Sequence, residues 1–195
     1  MRSCAAIVTA LGLVCSCRSV PAEPGNAPAP TESAAPAVAP LAWDAPPMWP
    51  ALPKPKDPAQ KADYQVPHAG DAKGDGDVTV FFFGTGAQGD EARRFAEWQK
   101  QFEGPEAADV QRNKLDGAAL PVDLIELHGT YKTPMGPAVG PQHKAPMEIV
   151  KKNYRLIGAV VKTPDRGNWF FKLTGAEDTV QSARSAFYAM VRSAK

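Results

Sequence analysis

Apolar residues recur from residue 77 onwards, first at the spacing of a strand and then at that of a helix. Residues 77–83 (DVTVFFF) are a β-branched and aromatic run, which is typical of a buried strand. In residues 90–102, Phe95, Trp98 and Phe102 recur at helical spacing, while charged residues occupy the other faces. This pattern predicts an amphipathic helix that packs one stripe inward.

Three further segments carry strand patterns. Residues 153–162 (NYRLIGAVVK) and 168–174 (NWFFKLT) are two apolar runs separated by TPDRG, whose Pro, Asp and Gly suit a turn. We therefore expect these runs to form an antiparallel hairpin. Residues 121–131 alternate between two faces, one of which carries Val122, Leu124, Glu126 and His128.

The chain ends in a second amphipathic pattern at residues 175–193. Glu177 and Asp178 open it, and their charges complement the dipole at a helix start. Thr174 as the N-cap with Glu177 at N3 has the spacing of a capping box. This succession of short strands and two helices, ending in a helix, predicts an α+β fold in which helices cover an antiparallel β-sheet.

The N-terminal pattern is that of an export signal. Arg2 precedes a mostly apolar run of about ten residues, too short for a membrane-spanning helix of about 20 residues. Val14 and Ser16 supply the branched aliphatic and the small residue that a lipobox places before its cysteine. We predict that residues 1–17 are a lipoprotein signal and that the mature chain begins at lipidated Cys17.

Lipidation would decide where the protein resides. Acyl chains such as palmitate on Cys17 anchor a protein to a membrane without spanning it, which predicts the cell envelope. An ordinary signal cut after Ala22 would instead give a secreted protein. The chain's three cysteines, Cys4, Cys15 and Cys17, all lie in this region. The mature chain would therefore lack disulfides, Cys-ligated zinc and a cysteine nucleophile.

Residues 18–41 are rich in proline and alanine. Such a composition buries too little apolar surface to fold, so we predict a disordered linker before a single α+β domain at 42–195. Trp43 and Trp49 open that domain, and we expect them in an extended segment packed across it. An exposed aromatic contact site for a glycan or peptide is the alternative.

Charge and histidine spacing exclude several functions. The formal net charge is +1 without long runs, so a basic nucleic-acid-binding face is not expected. The three histidines show no zinc-binding spacing, and no metal, cofactor or catalytic residue is predicted. His128 shares a strand face with Glu126, which would suit an acid/base pair. A solvated or hydrogen-bonded strand face is the alternative.

Residues 84–89 (GTGAQG) match the pattern GxGxxG between the predicted strand and helix. A dinucleotide site needs a second strand that ends in an acidic residue about 20 positions further on, and no such strand follows. The sequence therefore predicts a glycine-rich turn. An anion or other ligand bound at the helix start is the alternative, and its contacts would come from Gly84, Thr85, Gly86 and Gly89.

Several core and turn segments resemble uncharacterised exported bacterial proteins. These segments are 83–86 (FGTG), Trp98 with 101–102 (QF), 153–159 (NYRLIGA) and 170–180 (FFKLTGAEDTV). The ending is also similar to the PsbP-like α/β sandwich, in which a last strand with an LTG turn leads into a helix packed across the sheet. The resemblance covers about residues 49–195. It implies a fold and carries no activity.

Together these patterns predict a non-enzymatic lipoprotein of the cell envelope, whose α+β sandwich binds or supports an envelope protein partner. The alternative is a small-ligand-binding or anion-binding protein, or an enzyme, that uses the turn at 84–89.

Overall fold

The computed structural model describes residues 40–53, 57–68, 70, 74–104, 109–135 and 147–195. The predicted signal, its Cys17 and the linker up to residue 39 lie outside the described residues, as does most of the Gly/Pro-rich segment between the strands that begin at residues 122 and 147. The elements, in chain order, are β1 (Gln60–Val66), β2 (Gly76–Phe82), α1 (Glu91–Gln99), β3 (Phe102–Glu103), β4 (Gln111–Lys114), β5 (Val122–Met135), β6 (Met147–Thr163), β7 (Gly167–Ala176) and α2 (Glu177–Arg192).

The strands form one antiparallel sheet in the order β1-β2-β7-β6-β5-β3, and β4 also pairs with β5. The predicted α+β class, an antiparallel sheet with helices, is confirmed. The predicted hairpin is β6-β7, with Thr163 paired to Gly167 around the turn. Three elements of the sheet, β1, β3 and β4, match no strand pattern recognised in the sequence.

The sheet buries residues on both faces, and each face carries one helix. Because successive strand residues point to opposite faces, neighbours such as Phe170 and Phe171 belong to different cores. The α2 face packs sheet residues such as Ile157 and Leu173 against Val180, Phe187 and other residues of α2. The α1 face packs residues of β5, β6 and β7 against α1 and β3, namely Phe95, Trp98, Phe102, Ile125, Leu127, Tyr154, Leu156, Val160 and Phe170.

Helix α1 is shorter than its hydrophobic pattern predicts. It ends at Gln99, and Phe102, the predicted third member of its stripe, lies in β3 opposite Tyr131 of β5. Phe102 is still buried in the α1-side core. Phe102 therefore packs where a residue of one more turn of α1 would pack, although it belongs to a strand.

The predicted capping box at the start of α2 is wrong. The N-cap residue is Ala176, without a side-chain capping bond, and Thr174 is a residue of β7 opposite Asp77 of β2. The strand continues to the residue that precedes α2 because its backbone pairs with β6 up to Ala176. Glu177 is therefore free to bind elsewhere, and it receives a hydrogen bond from Arg155 (2.7 Å).

The packed structure includes Leu41, at the predicted boundary between linker and domain. Leu41 is 3% exposed in the α2-side core. The next residue, Ala42, exchanges two backbone hydrogen bonds of 3.0 Å with Lys195 at the other end of the chain. Leu41 is therefore part of the packed structure rather than the last residue of the linker.

Neither helix of the described residues has the length and apolar character needed to cross a membrane.

Candidate functional site

The glycine-rich turn at 84–89 packs against the β6-β7 hairpin. Asn168 of β7 donates a hydrogen bond from Nδ2 to the carbonyl oxygen of Gly89 (3.0 Å). A Cβ atom at Gly89 would lie 2.7 Å from the carbonyl oxygen of Gly84, and one at Gly167 would lie 2.9 Å from that oxygen. These glycines are required by close backbone contacts, which agrees with the structural interpretation of the turn.

The N-terminus of α1 carries a carboxylate of its own. Asp90 is the N-cap, and its Oδ1 accepts a hydrogen bond from the backbone N–H of Arg93 (2.7 Å). Thr85 and Gly86 are exposed, but an anion at this helix start would meet the negative charge of Asp90. This geometry favours the predicted glycine-rich turn over the alternative, an anion bound by Gly84, Thr85, Gly86 and Gly89.

The two tryptophans of the N-terminal segment pack onto the sheet. Trp49 is 6% exposed in the α2-side core. Trp43 donates from its indole nitrogen to the hydroxyl oxygen of Tyr64 (3.1 Å) and contacts Phe171 edge-on, with ring centroids 5.5 Å apart. One ring is buried and the other packs against the core, which is the geometry expected for a segment packed across the domain rather than for the alternative, an exposed aromatic contact site at Trp43 and Trp49.

Glu126 lies at the centre of a buried ion network. Arg184 of α2 donates to both of its carboxylate oxygens (2.7 and 2.6 Å). Arg155 of β6 adds a contact of 3.3 Å, and the hydroxyl of Tyr188 donates to Oε1 (2.9 Å). Burial, followed by the contact with Glu126, raises the pKa of Tyr188 to about 12, so its phenol remains a donor. The network fastens α2 to β5 and β6.

The acid/base pair that Glu126 and His128 would suit is therefore not assembled. Within the described residues no hydrogen bond joins the two side chains, and His128 lies opposite Arg155 in the sheet register. The carboxylate of Glu126 is occupied by two guanidinium groups and a phenol. The hydrogen-bonded strand face, the alternative interpretation of this pattern, is what the structure has.

A second group of polar residues lies on the α1 face, outside the α1-side core. We call it the polar patch. It comes from three neighbouring strands, whose register places Asp63 opposite Thr79, Thr79 opposite Lys172, and Asp77 opposite Thr174. Residues paired in this way share a face and lie about 5 Å apart at Cβ. The patch consists of Asp63, Asp77, Thr79, Lys172 and Thr174.

The pKa values of both carboxylates of the polar patch are raised. Asp77 is exposed, yet desolvation by the atoms around it raises its pKa to about 6, against the opposing pull of Lys172. Desolvation also raises the pKa of Asp63. Asp63 accepts a long hydrogen bond from the hydroxyl of buried Thr79 (3.4 Å), whereas Asp77 has no hydrogen-bond partner among the described residues.

Lys172 carries the positive charge of the patch but forms no ion pair within the described residues. Its ammonium donates to Oε1 of Gln101 (2.9 Å) and to the hydroxyl oxygen of Tyr131 (3.4 Å). Both acceptors are neutral and lie away from β2, on the side of β5. The opposite charges of the patch therefore remain separated, although their strands are neighbours.

Thr174 completes the patch. It is 3% exposed, and its hydroxyl has no hydrogen-bond partner. Leaving such a group unpaired costs about 1–3 kcal/mol. Thr174 shares the α1 face with Asp77, its opposite residue on β2. The patch thus brings together the carboxylate of Asp77 and the hydroxyl of Thr174, which lack hydrogen-bond partners, and the ammonium of Lys172, which lacks an ion-pair partner among the described residues.

The raised pKa of Asp77 predicts a pH-dependent stability. Its folded-state pKa of about 6 exceeds the ordinary value of 3.8, so the folded state holds this proton more tightly between these pH values. The free energy of unfolding therefore falls as pH rises from about 4 to about 6. Asp77→Asn is expected to be more stable than the parent at about pH 7.5, by at most about 1 kcal/mol, with no advantage below about pH 4.

Thermal unfolding at both pH values checks this expectation. Asp165→Asn is the charge-matched control, because Asp165 lies in the β6-β7 turn and its side chain is 80% exposed. The control is not expected to gain stability near neutral pH. An Asp77→Asn protein that is less stable than the parent at about pH 7.5 would contradict the desolvation argument.

The polar patch was not recognised in the sequence, although part of its signal is visible there. Asp77 and Thr79 alternate with two valines in β2, and Lys172 and Thr174 alternate with apolar residues in β7. Alternation assigns each residue to a face. It does not show which residues of different strands lie opposite one another.

No group of three or more Asp, Glu, His and Cys residues that could hold a metal ion occurs among the described residues. Comparison of the chain with models of known protein families found no match, and comparison with curated proteins found none.

Proposed function

We propose that this protein is a lipid-anchored binding module of the cell envelope, attached through Cys17 and holding a ligand or an envelope partner at the polar patch. The observation that carries the binding role is the set of separated charges at the patch, where Asp77 and Lys172 face the same surface without pairing. A surface of this kind gains from a partner that supplies the missing opposite charges.

The non-catalytic part of the proposal rests on what the other candidate residues contact. Glu126 is bound by two arginines and a tyrosine, and Asp90 closes the start of α1. These side chains have structural partners at the positions where the sequence offered catalytic or anion-binding chemistry. Nucleic acid is not a proposed partner, because the chain's net charge is only +1.

Two finer points belong to the same proposal. The PsbP-like sandwich is supported by the LTG sequence at 173–175, which lies in the last strand, β7, and is separated from α2 by Ala176 alone. The spacer role of the linker is supported by its composition: the 22 residues between Cys17 and Pro40 would reach up to about 70 Å in a polyproline conformation.

Metabolic labelling with an alkyne-bearing fatty acid tests the anchor. The parent protein is expected to carry the label and to sediment with membranes, whereas Cys17→Ala is expected to lose the label to background and to appear in the soluble fraction. Cys15→Ala is the matched control, because it alters a cysteine two positions away and leaves the proposed acylation site intact. Unchanged labelling of Cys17→Ala would remove the proposed anchor.

A further inference from the structure

The polar patch has an acidic pole and a basic pole. Asp63 and Asp77, on β1 and β2, form the acidic pole. Lys172, whose ammonium extends from β7 towards β5, forms the basic pole. We propose that the patch binds a small zwitterion of about dipeptide size, with its ammonium at the acidic pole and its carboxylate at Lys172. This inference rests on the proposed binding role and names the class of ligand.

The acidic pole fits a primary ammonium group. Such a group needs several acceptors in different directions, and charge-assisted hydrogen bonds to carboxylates are the strongest that it can make. The pole offers the carboxylates of Asp77 and Asp63, and the hydroxyl of Thr174 is buried on the same face without a partner. An ammonium would relieve the repulsion between the two carboxylates.

The basic pole fits a carboxylate. Lys172 donates only to neutral acceptors, Gln101 and Tyr131, so its charge lacks a counterion among the described residues. The hydroxyl of Tyr131 accepts from Thr133 at 3.0 Å. The neighbouring cation, Lys151, is directed to the hydroxyl oxygen of Tyr154 (2.8 Å). Lys172 is thus the cation that a ligand carboxylate would meet first.

The separation of the poles sets the size of the ligand. Asp77 and Lys172 are diagonal neighbours on adjacent strands, a relation that places the two residues about 7–8 Å apart at the backbone. The ammonium of Lys172 extends away from β2, so the two charges of the ligand must be at least about this far apart. Two extended peptide residues span about 7 Å, which makes a dipeptide the smallest peptide of this length, whereas a single ion can satisfy only one pole.

Three probes separate these contributions. Glycylglycine carries both charges, glycylglycinamide carries only the ammonium, and N-acetylglycylglycine carries only the carboxylate. In titrations of the full chain in mild detergent, followed by NMR or calorimetry, glycylglycine is expected to bind about tenfold more tightly than either blocked probe, as expected for one charge-assisted hydrogen bond. Equal affinity for all three probes, or no binding of glycylglycine, would overturn the proposal.

Variants locate the two poles. Asp77→Asn, which is expected to keep the fold, should weaken glycylglycine binding about tenfold. Lys172→Met should reduce the affinity for glycylglycine to that for glycylglycinamide and should leave the latter unchanged. Asp165→Asn is the control and should bind as the parent does. Parent-like glycylglycine binding by Asp77→Asn would refute the acidic pole, and parent-like binding by Lys172→Met would refute the basic pole.

The outcome is independent of the anchor. A Cys17→Ala protein that binds glycylglycine normally but leaves the membrane would remove the proposed attachment and keep the ligand class. A labelled, membrane-bound protein that fails to bind glycylglycine would do the reverse.

Discussion

Glu126→Ala is expected to lower the free energy of unfolding by about 3–5 kcal/mol, because it leaves two arginines without their shared carboxylate. Glu126 is 7% exposed and receives both Nη groups of Arg184 together with a contact from Arg155. The attraction between the carboxylate and the two guanidinium groups offsets the free-energy cost of removing these charges from water. Removal of the carboxylate leaves that cost without compensation. Urea unfolding followed by tryptophan fluorescence measures the loss.

Two controls test whether the loss of stability arises because the charges around Glu126 are buried. Glu177→Gln removes another carboxylate partner of Arg155, but Glu177 is 37% exposed and its pair is expected to contribute no more than about 1 kcal/mol. Tyr188→Phe removes one hydrogen bond to Glu126 and is expected to cost about 1.5–3 kcal/mol. If Glu126→Ala were no more costly than Glu177→Gln, the network would not be what holds α2 on the sheet.

The strongest apolar patterns of the sequence predicted the central elements correctly. The second half of β6, from Tyr154, and most of β7 are buried on both faces, so these sequences are nearly continuous apolar runs, and their connecting turn contains Pro, Asp and Gly. Helix α2 is long enough for its apolar stripe to repeat several times. In these elements the local pattern and the tertiary burial agree.

The strands that were missed are held by pairing rather than by apolar composition. The residues of β4 (QRNK) are all exposed, and the strand exists because its backbone bonds to β5. Strand β1 (QKADYQV) is polar at alternate positions, because two of its residues, Asp63 and Gln65, face β2 side chains of the polar patch. Pairing with a strand that is distant in sequence does not require an apolar pattern in the paired segment, so such strands are not predicted from the local sequence.

The functional interpretation had the same limitation. Glu126 was recognised as a polar residue on a half-buried face, but its partners Arg184 and Tyr188 lie 58 and 62 residues further along the chain. The polar patch likewise needs the register of β1, β2 and β7. Residue type and alternation show which polar residues lie on a half-buried face of a strand. The pairing of distant strands and helices decides whether those residues form an ion network or an open site.

Gly158→Ala is the second substitution with a large expected effect. Gly158 lies in β6 beneath the ring of Trp98, and a Cβ atom there would lie 2.1 Å from Cζ3 and 2.6 Å from Cε3 of that ring, and 2.9 Å from Cγ2 of Ile125. Trp98 is 3% exposed, so it has no free space into which to move. Overpacking of this kind typically costs about 1–3 kcal/mol, and we expect the upper end or more, measured by urea unfolding.

The cause of this loss can be separated from the general effect of replacing glycine. Gly86→Ala is the matched control, since its φ is −88° and a Cβ atom there meets nothing within 4 Å. It is expected to change stability by no more than about 0.5 kcal/mol. Trp98→Phe shortens the ring above Gly158, so the double variant should cost less than the sum of the two single variants. Additive costs would mean that the methyl group and the ring do not compete for the same space, and α1 would then owe its position on the sheet to other contacts.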